Sequence, residues 1–409
     1  MCVWRSEQGL LTEAYDVMKN VMQGGIAIRY YEVTAGILAA LAIFSFCACR
    51  HPAVTVAEDA IVKSVGVAVS DSVTNLSSIL SVKRVIPLET QDSSLIGGNI
   101  WKISAYKNHI YVSFNRNTLL QFDRQGKFVR QIGSVGGGPG EYATLRDFDV
   151  TEEGVYILSH KGILHYDCDG RFLHAIPAEI SLSGIKVAGD KILGFVTREK
   201  HVSYVLDREG HVLDSALPAS PITSMAASSY YWPYQGNEYL FPLYQTNEAL
   251  LYDAAKGSYA YVRLIDLPDA MTLERGNKLF EEKGLNIYLG EYGTILWAFN
   301  SNGTQLQFQT FEDEDDKGTL WVRKVKEGKT LAFDCARIRN DVTFVPLERF
   351  FSSFMQADSS FFSRVDPTDL KEALMQPQAP ASPYYRPMKA LADRLGEEDN
   401  PVLIEYEFK

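Results

Sequence analysis

The sequence predicts an all-β fold of small four-stranded sheets set around a common axis, a β-propeller. Two observations predict it. First, a bend recurs in Leu119–Phe128 (LLQFDRQGKF), Ile163–Phe172 (ILHYDCDGRF), Ser203–Val212 (SYVLDREGHV) and, with one extra residue, Leu250–Tyr259 (LLYDAAKGSY). Its aspartates, Asp123, Asp167, Asp207 and Asp253, are spaced by 44, 40 and 46 residues. Second, strand-like runs precede each bend, so about 45 residues hold four short strands. A four-stranded sheet repeating at that period is a propeller blade, whereas a β-sandwich has about seven strands and no such period.

Along the 409 residues, the first 17 are acidic and unlike the start of an export signal, whereas Met18-Lys19 begins a better one, so translation is expected to start at Met18 or Met22. Ala35–Ala48 (AGILAALAIFSFCA) is an apolar run of 14 residues, short of the ~20 that span a bilayer and of the length of a secretory h-region. It ends at Cys47-Ala48-Cys49. A small residue directly before a cysteine resembles a bacterial lipoprotein signal, which implies cleavage and lipid attachment at Cys49, with Cys47 second. The competing reading is an uncleaved membrane anchor. Residues 1–49 are thus read as a signal, 50–80 as a polar, small-residue tether, and 81–409 as the propeller.

In each bend the aspartate accepts backbone amides two to three residues on, and the glycine supplies the positive φ that closes the hairpin. The strand before each hairpin is HIYVSF from 109, GVYILS from 154, KILGFV from 191, EYLFPL from 238 and TILWAF from 294. Further in lie NIWKISA, LRDFDV, SGIKVAG and LNIYLGE.

Between the first two repeats stands Ile132–Phe148, IGSVGGGPGEYATLRDF. A phosphate loop needs a lysine after its last glycine, but here Pro139 follows Gly138 and Glu141 follows Gly140. Proline lacks an N–H and glutamate repels phosphate, so the stretch reads as the sharp passage from outer strand to next inner strand.

The residues GKFVRQIG and GGGPGEYATLRDF resemble the signature of six-bladed β-propeller lipoproteins of Gram-negative bacteria, relatives in shape of NHL-repeat and TolB-type propellers. The C-terminal EEDNPVLIEYEFK resembles that family's closing strand. The resemblance covers roughly 82–409 and implies six blades. The sixth would be built from TLAFDCARI, TFVPLERFF and SFFSRVD, with PVLIEYEFK and the N-terminal KRVIPLE closing the ring. Helices are expected over Asp366–Leu374, with Pro367 near its first position, and Tyr385–Gly396.

The composition excludes some functions. Aromatics are abundant, with 22 Tyr and 21 Phe, which favours sheet. The net charge of -11 argues against a sequence-independent grip on nucleic acid. Five cysteines make no CxxC zinc pair, and a Cys168–Cys335 bridge is disfavoured because both read as strand residues among apolar neighbours. The seven histidines form no metal-binding spacing, and no G-x-S-x-G nucleophile elbow occurs. The acidic run in Phe311–Gly318 (FEDEDDKG) lacks the EF-hand alternation and reads as a hairpin tip. No cofactor and no metal is predicted.

In this strand order the outer-to-inner crossovers share a face with the loops between second and third strands, and the Asp–Gly bends lie opposite. The ligand face then carries Asn115, Arg116 and Asn117; His160 and Lys161; Arg198 and His201; Tyr244 and Gln245; Asn300 and Asn302. The crossovers add Glu141, Tyr142 and the run Tyr230-Tyr231-Trp232. Amides, guanidinium groups and flat rings suit a glycan or peptide. The plain reading is solvated loop for most of them, with Glu141 and Tyr142 pinning their own glycine loop. The function expected is an exported cell-envelope lipoprotein that binds a glycan, peptide or protein around the axial channel. The alternative is a metal-dependent hydrolase or lyase with an axial site on the same propeller. A structural assembly subunit is the third class.

Overall fold

The computed structural model describes residues 55–56, 60–64, 67–70, 72–197, 199–225, 230–284, 289–311, 318–351, 355–357, 360–376 and 381–409. All of them fall in the compact unit Pro52–Lys409. The signal, Met18 and Cys49 lie outside the described residues, as do residues 312–317 of the acidic run, whose flanking strands Gln305–Phe311 and Thr319–Lys324 pair antiparallel.

The chain forms a six-bladed β-propeller. From inner to outer strand, blade 1 is Ile100–Tyr106, His109–Phe114, Thr118–Asp123 and Phe128–Gln131. Blade 2 is Leu145–Thr151, Gly154–Ser159, Gly162–Tyr166 and Phe172–Ile176, and blade 3 is Gly184–Ala188, Lys191–Phe195, His201–Leu206 and Val212–Pro218. Blade 4 is Trp232–Pro233, Glu238–Leu243, Glu248–Asp253 and Ser258–Arg263. Blade 5 is Ile295–Ser301, Gln305–Phe311, Thr319–Lys324 and Lys329–Asp334. In blade 6 the C-terminal strand Val402–Phe408 lies between Phe361–Val365 and the N-terminal Leu80–Pro87, so both ends of the propeller meet in one sheet. The short strand Met355–Ala357 pairs in parallel with the inner strand of blade 1.

The bends form as their chemistry demands. Asp123 Oδ1 accepts the amides of Gln125 and Lys127, each at 2.9 Å, and Asp167 and Asp207 do the same two and four residues on. Gly126 closes its bend at φ 85°, where a side chain would meet the Pro87 carbonyl. Between the blades, alternate strand residues turn inward as buried clusters, such as Tyr111, Ile132, Phe148 and Tyr166 between blades 1 and 2.

Several expectations are corrected. TLAFD is the outer strand of blade 5, and TFVPLERFF contributes a short helix, Leu347–Phe350, not a strand. TILWAF is the inner strand of blade 5, and of the LNIYLGE run the described part is a 3₁₀ turn, Leu289–Tyr292. An unexpected helix, Leu273–Lys283, fills the passage from blade 4 to blade 5, capped by the Thr272 side chain and ended by Gly284 at φ 89°. The C-terminal helices are Pro367–Leu374 and Tyr385–Ala392. Cys168 is exposed in a bend and Cys335 is buried at a 3₁₀ turn, so neither is a strand residue, and neither forms a disulfide among the described residues.

The separation of bends from crossovers also fails at the rim. The Glu89 amide donates to Gly126 O, and Glu179 to Gly210 O, so these crossovers begin against the bend of the next blade. Strand twist turns each outer strand toward its neighbour, which brings the two features together.

Within the segment read as a tether, Thr55–Val56 pairs in parallel with the outer strand of blade 4, and Val69–Ser70 with that of blade 5. Val62, between them, is fully buried.

Candidate functional site

The inner strands carry charge where an apolar run would be ordinary. Lys102 lies in blade 1, Asp147 and Asp149 in blade 2, and Lys186 in blade 3. The two-residue period places Asp147 and Asp149 on one side of their strand. Asp147 Oδ1 accepts from Lys102 Nζ and from its neighbour's amide, Phe148 N, each at 2.8 Å; Oδ2 accepts from Ile185 N at 2.8 Å. One carboxylate therefore ties three successive inner strands. Asp149 repeats the link to blade 3, accepting from Lys186 Nζ at 2.8 Å and Val187 N at 2.7 Å.

Lys102 and Asp147 are each only 2% exposed. Burial pushes the Asp147 carboxyl up, while Lys102 and the two amides hold it down. Burial would lower the Lys186 ammonium, but the paired Asp149 carboxylate raises it above its usual value. Lys102 also donates to Phe148 O at 2.7 Å, and its ammonium stands 4.9 Å from the Tyr230 ring centroid. Such satisfaction is what a buried ion pair needs, since desolvation of each charge costs several kcal/mol or more.

Of these four charged residues, Lys102 and Asp147 form the floor of a cavity of about 890 Å³ at the loop end of the axis. Trp101, Lys102 and Arg116 line it from blade 1, Arg146 and Asp147 from blade 2. Ser181 and Ser183 come from the crossover to blade 3, Thr197 and Glu199 from its second-to-third loop, Tyr230 precedes blade 4, and Arg364 ends a strand of blade 6. Arg364 is held by both oxygens of Asp366, at 2.9 and 2.8 Å. Arg146 instead donates to neutral acceptors, Ser181 Oγ at 2.9 Å and Leu182 O at 3.0 Å.

Arg116 has a special backbone. Asn115 and Arg116 form the tip of the second-to-third hairpin, at φ 51° and 55°. Two left-handed residues in succession match a type I′ turn, whose second place favours glycine. Arginine there carries strain of about 1–2 kcal/mol. Its guanidinium lies 3.8 Å from the Trp101 ring centroid, and its carbonyl accepts from Leu145 N at 2.6 Å, which fastens the turn to blade 2.

The structure brings together only part of the expected ring. Arg116 and Tyr230 line the cavity. Arg198 lies outside the described residues, between the lining residues Thr197 and Glu199. Glu141 Oε2 accepts from Gly138 N at 2.7 Å, and the fully buried Tyr142 donates to Ile132 O at 2.8 Å. Lys161 reaches Gly137 O at 2.8 Å, so three side chains secure the glycine loop. Desolvation pushes the Tyr142 phenol well up. His160 is exposed beside Lys161, and Tyr244 and Gln245 sit in the corresponding loop of blade 4; none of the three is in the cavity wall. Asn300 is corrected in place: it is buried near the end of the inner strand of blade 5, not in a second-to-third loop. Asn302 follows in the turn to the second strand, where its side chain accepts from Gln305 N at 2.8 Å. Tyr231 and Trp232 are core residues.

Sequence reading misses Lys102, Asp147 and Arg146. The signal is the three charges in LRDFDV and the lone lysine in NIWKISA, inside runs that otherwise read as buried strand.

Among the described residues, the one cluster of three ligand-type side chains close enough to share a metal is Asp207, Glu209 and His211. It sits on the outer bend of blade 3, away from the axis, where Asp207 Oδ1 already holds two amides. No helix among the described residues is long and apolar enough to cross a membrane.

In architecture the chain is similar to a protein of Bacteroides fragilis described as exported, with TM-score 0.65, 18% identity, and coverage of 85% of this chain and 99% of that one. It also aligns with a member of the DUF4221 family from Bacteroides vulgatus (TM-score 0.48, 8% identity, 81% and 98% covered). Virginiamycin B lyase of Staphylococcus aureus aligns over less (TM-score 0.37, 12% identity, 62% and 74% covered). At 18% identity the likeness to the B. fragilis protein is one of fold. No curated protein matches the chain in sequence. The family model described as a domain of unknown function, DUF4934, matches residues 62–407, and the chain belongs to that family.

Proposed function

We propose that this protein is an exported cell-envelope lipoprotein, anchored through Cys49 on the periplasmic side of the membrane or at the outer membrane, whose propeller captures a glycan, peptide or protein ligand in the cavity where inner strands begin. The observation that supports capture is the strained Arg116 turn standing over a cavity of about 890 Å³ floored by a buried ion pair. Concave, partly polar cavities of about 300–1,000 Å³ are the ordinary form of a ligand site. Strain kept at a cavity wall supports a functional role. Export is supported by the apolar run ending at Cys49 and by the described export of the B. fragilis protein.

Two experiments test the reading. The purified full chain is applied to glycan and peptide arrays, and any captured ligand is measured again with Arg116→Gly and with Trp101→Ala, both in the cavity wall. Retained affinity in both variants contradicts capture at this cavity. For the anchor, cells are fed a clickable fatty acid; label should enter the wild type and be lost in Cys49→Ala. Label persisting in the variant removes Cys49 from the account.

A further inference from the structure

We infer that the ligand of the axial cavity is an anionic saccharide, gripped through its carboxylate or sulfate by Arg116 and Arg146. This deepens the proposed capture role and rests on it.

The charge of the wall carries the inference. Lys102 is neutralised by Asp147, and Arg364 by the bidentate Asp366. The two remaining cations, Arg116 and Arg146, meet no carboxylate among the described residues: one lies on the Trp101 ring and the other on a hydroxyl and a carbonyl. Both are exposed, against a single exposed acid in the wall, Glu199. A cation excess in the cavity of a chain with net charge -11 selects for anions locally. Guanidinium groups present paired N–H donors in a fixed plane, the match for a carboxylate or sulfate.

The neutral part of the wall argues for a sugar carrying that anion. Asn99, Ser181, Ser183 and Thr197 offer small groups that both donate and accept, which suits successive hydroxyls. Trp101, 39% exposed at the mouth, gives a flat apolar edge beside Arg116 for a pyranose C–H face. The volume accommodates a short oligosaccharide. The Arg116 backbone is the independent sign: arginine stands at a turn position where glycine would relieve strain, so the guanidinium is retained for its contact.

The test is titration calorimetry of the full chain against matched oligosaccharides in neutral, uronate-bearing and sulfated forms. The anionic forms should bind and the neutral form should not, the preferred anion identifying which group is read. Arg116→Gly and Arg146→Gln should each weaken anionic binding at least tenfold, while melting curves show both variants folded. Glu199→Gln, which removes the one exposed acid of the wall, should tighten it. Equal binding of the neutral form, insensitive to both arginines but lost in Trp101→Ala, overturns the anion inference and leaves capture at the cavity standing. Binding of a peptide alone at the cavity overturns the saccharide. Failure of every ligand to depend on any cavity residue overturns both readings.

Discussion

The ammonium of Lys102 lies 2.8 Å from a carboxylate oxygen of Asp147, with both side chains buried where the inner strands of blades 1 and 2 meet. Because Asp147 also accepts the Ile185 amide, the pair couples three blades at the axis. Removing one partner leaves the other charge stranded, at a cost of about 3–5 kcal/mol. Lys102→Met should therefore unfold at much lower urea. The double variant Lys102→Met with Asp147→Leu should recover part of that loss. Equal midpoints for wild type and Lys102→Met would show the brace to be energetically idle.

Arg116→Gly separates stability from binding. The change relieves left-handed strain of about 1–2 kcal/mol and forfeits a cation–π contact worth about 0.5–1 kcal/mol. The melting temperature should hold or rise while ligand capture falls. A clear drop in melting temperature would mark Arg116 as a structural residue.

Two bend glycines should differ under substitution by alanine. Gly257 is left-handed at φ 64°, and a methyl group added there would meet nothing within 4 Å. Gly257→Ala should therefore cost about 1 kcal/mol. Gly126 has φ 85° and an added methyl would lie 2.2 Å from Pro87 O, so Gly126→Ala should cost clearly more. Denaturant midpoints for the two variants check the order.

His165 sets an acid limb. Its ring stacks on Tyr156 with centroids 4.1 Å apart, and Nε2 pairs with Glu153 O at 3.2 Å. Desolvation lowers its pKa, an effect only partly offset by the Glu153 carbonyl. The unfolded chain binds the proton near its ordinary value of about 6.5, before the folded site does. Stability from this group is complete above that pH and is lost as pH falls toward the lowered folded value. His165→Gln should flatten the fall in urea midpoint between about pH 7 and about pH 5.

The sequence shows some of this directly and conceals the rest for physical reasons. Asp123, Asp167 and Asp207 announce their bends because the turn chemistry is local, each carboxylate bonding amides two and four residues on. Blade 5 lacks that marker. Its outer bend, Val325–Gly328, has no aspartate, so sequence reading sets TILWAF one strand too far outward and assigns TLAFD to blade 6. The helix Leu273–Lys283 is legible through Thr272, Glu274 and Gly284, but the expectation of strands masks it. Lys102 and Asp147 stay hidden because a charge in an alternating strand reads as a solvent face. Only a long-range fact, that their strands line the axis, turns them inward. Arg116 falls in the loop expected of it, but its left-handed backbone and the Trp101 contact are properties of the folded turn.

The proposed capture of ligand at the loop end of the axis is tested most directly by hydrogen exchange and mass spectrometry on the full chain, with and without a captured ligand. Amides of residues 99–102, 113–117 and 181–197 should gain protection on binding. Protection confined to the outer strands of the blades, with those segments unchanged, would contradict the account.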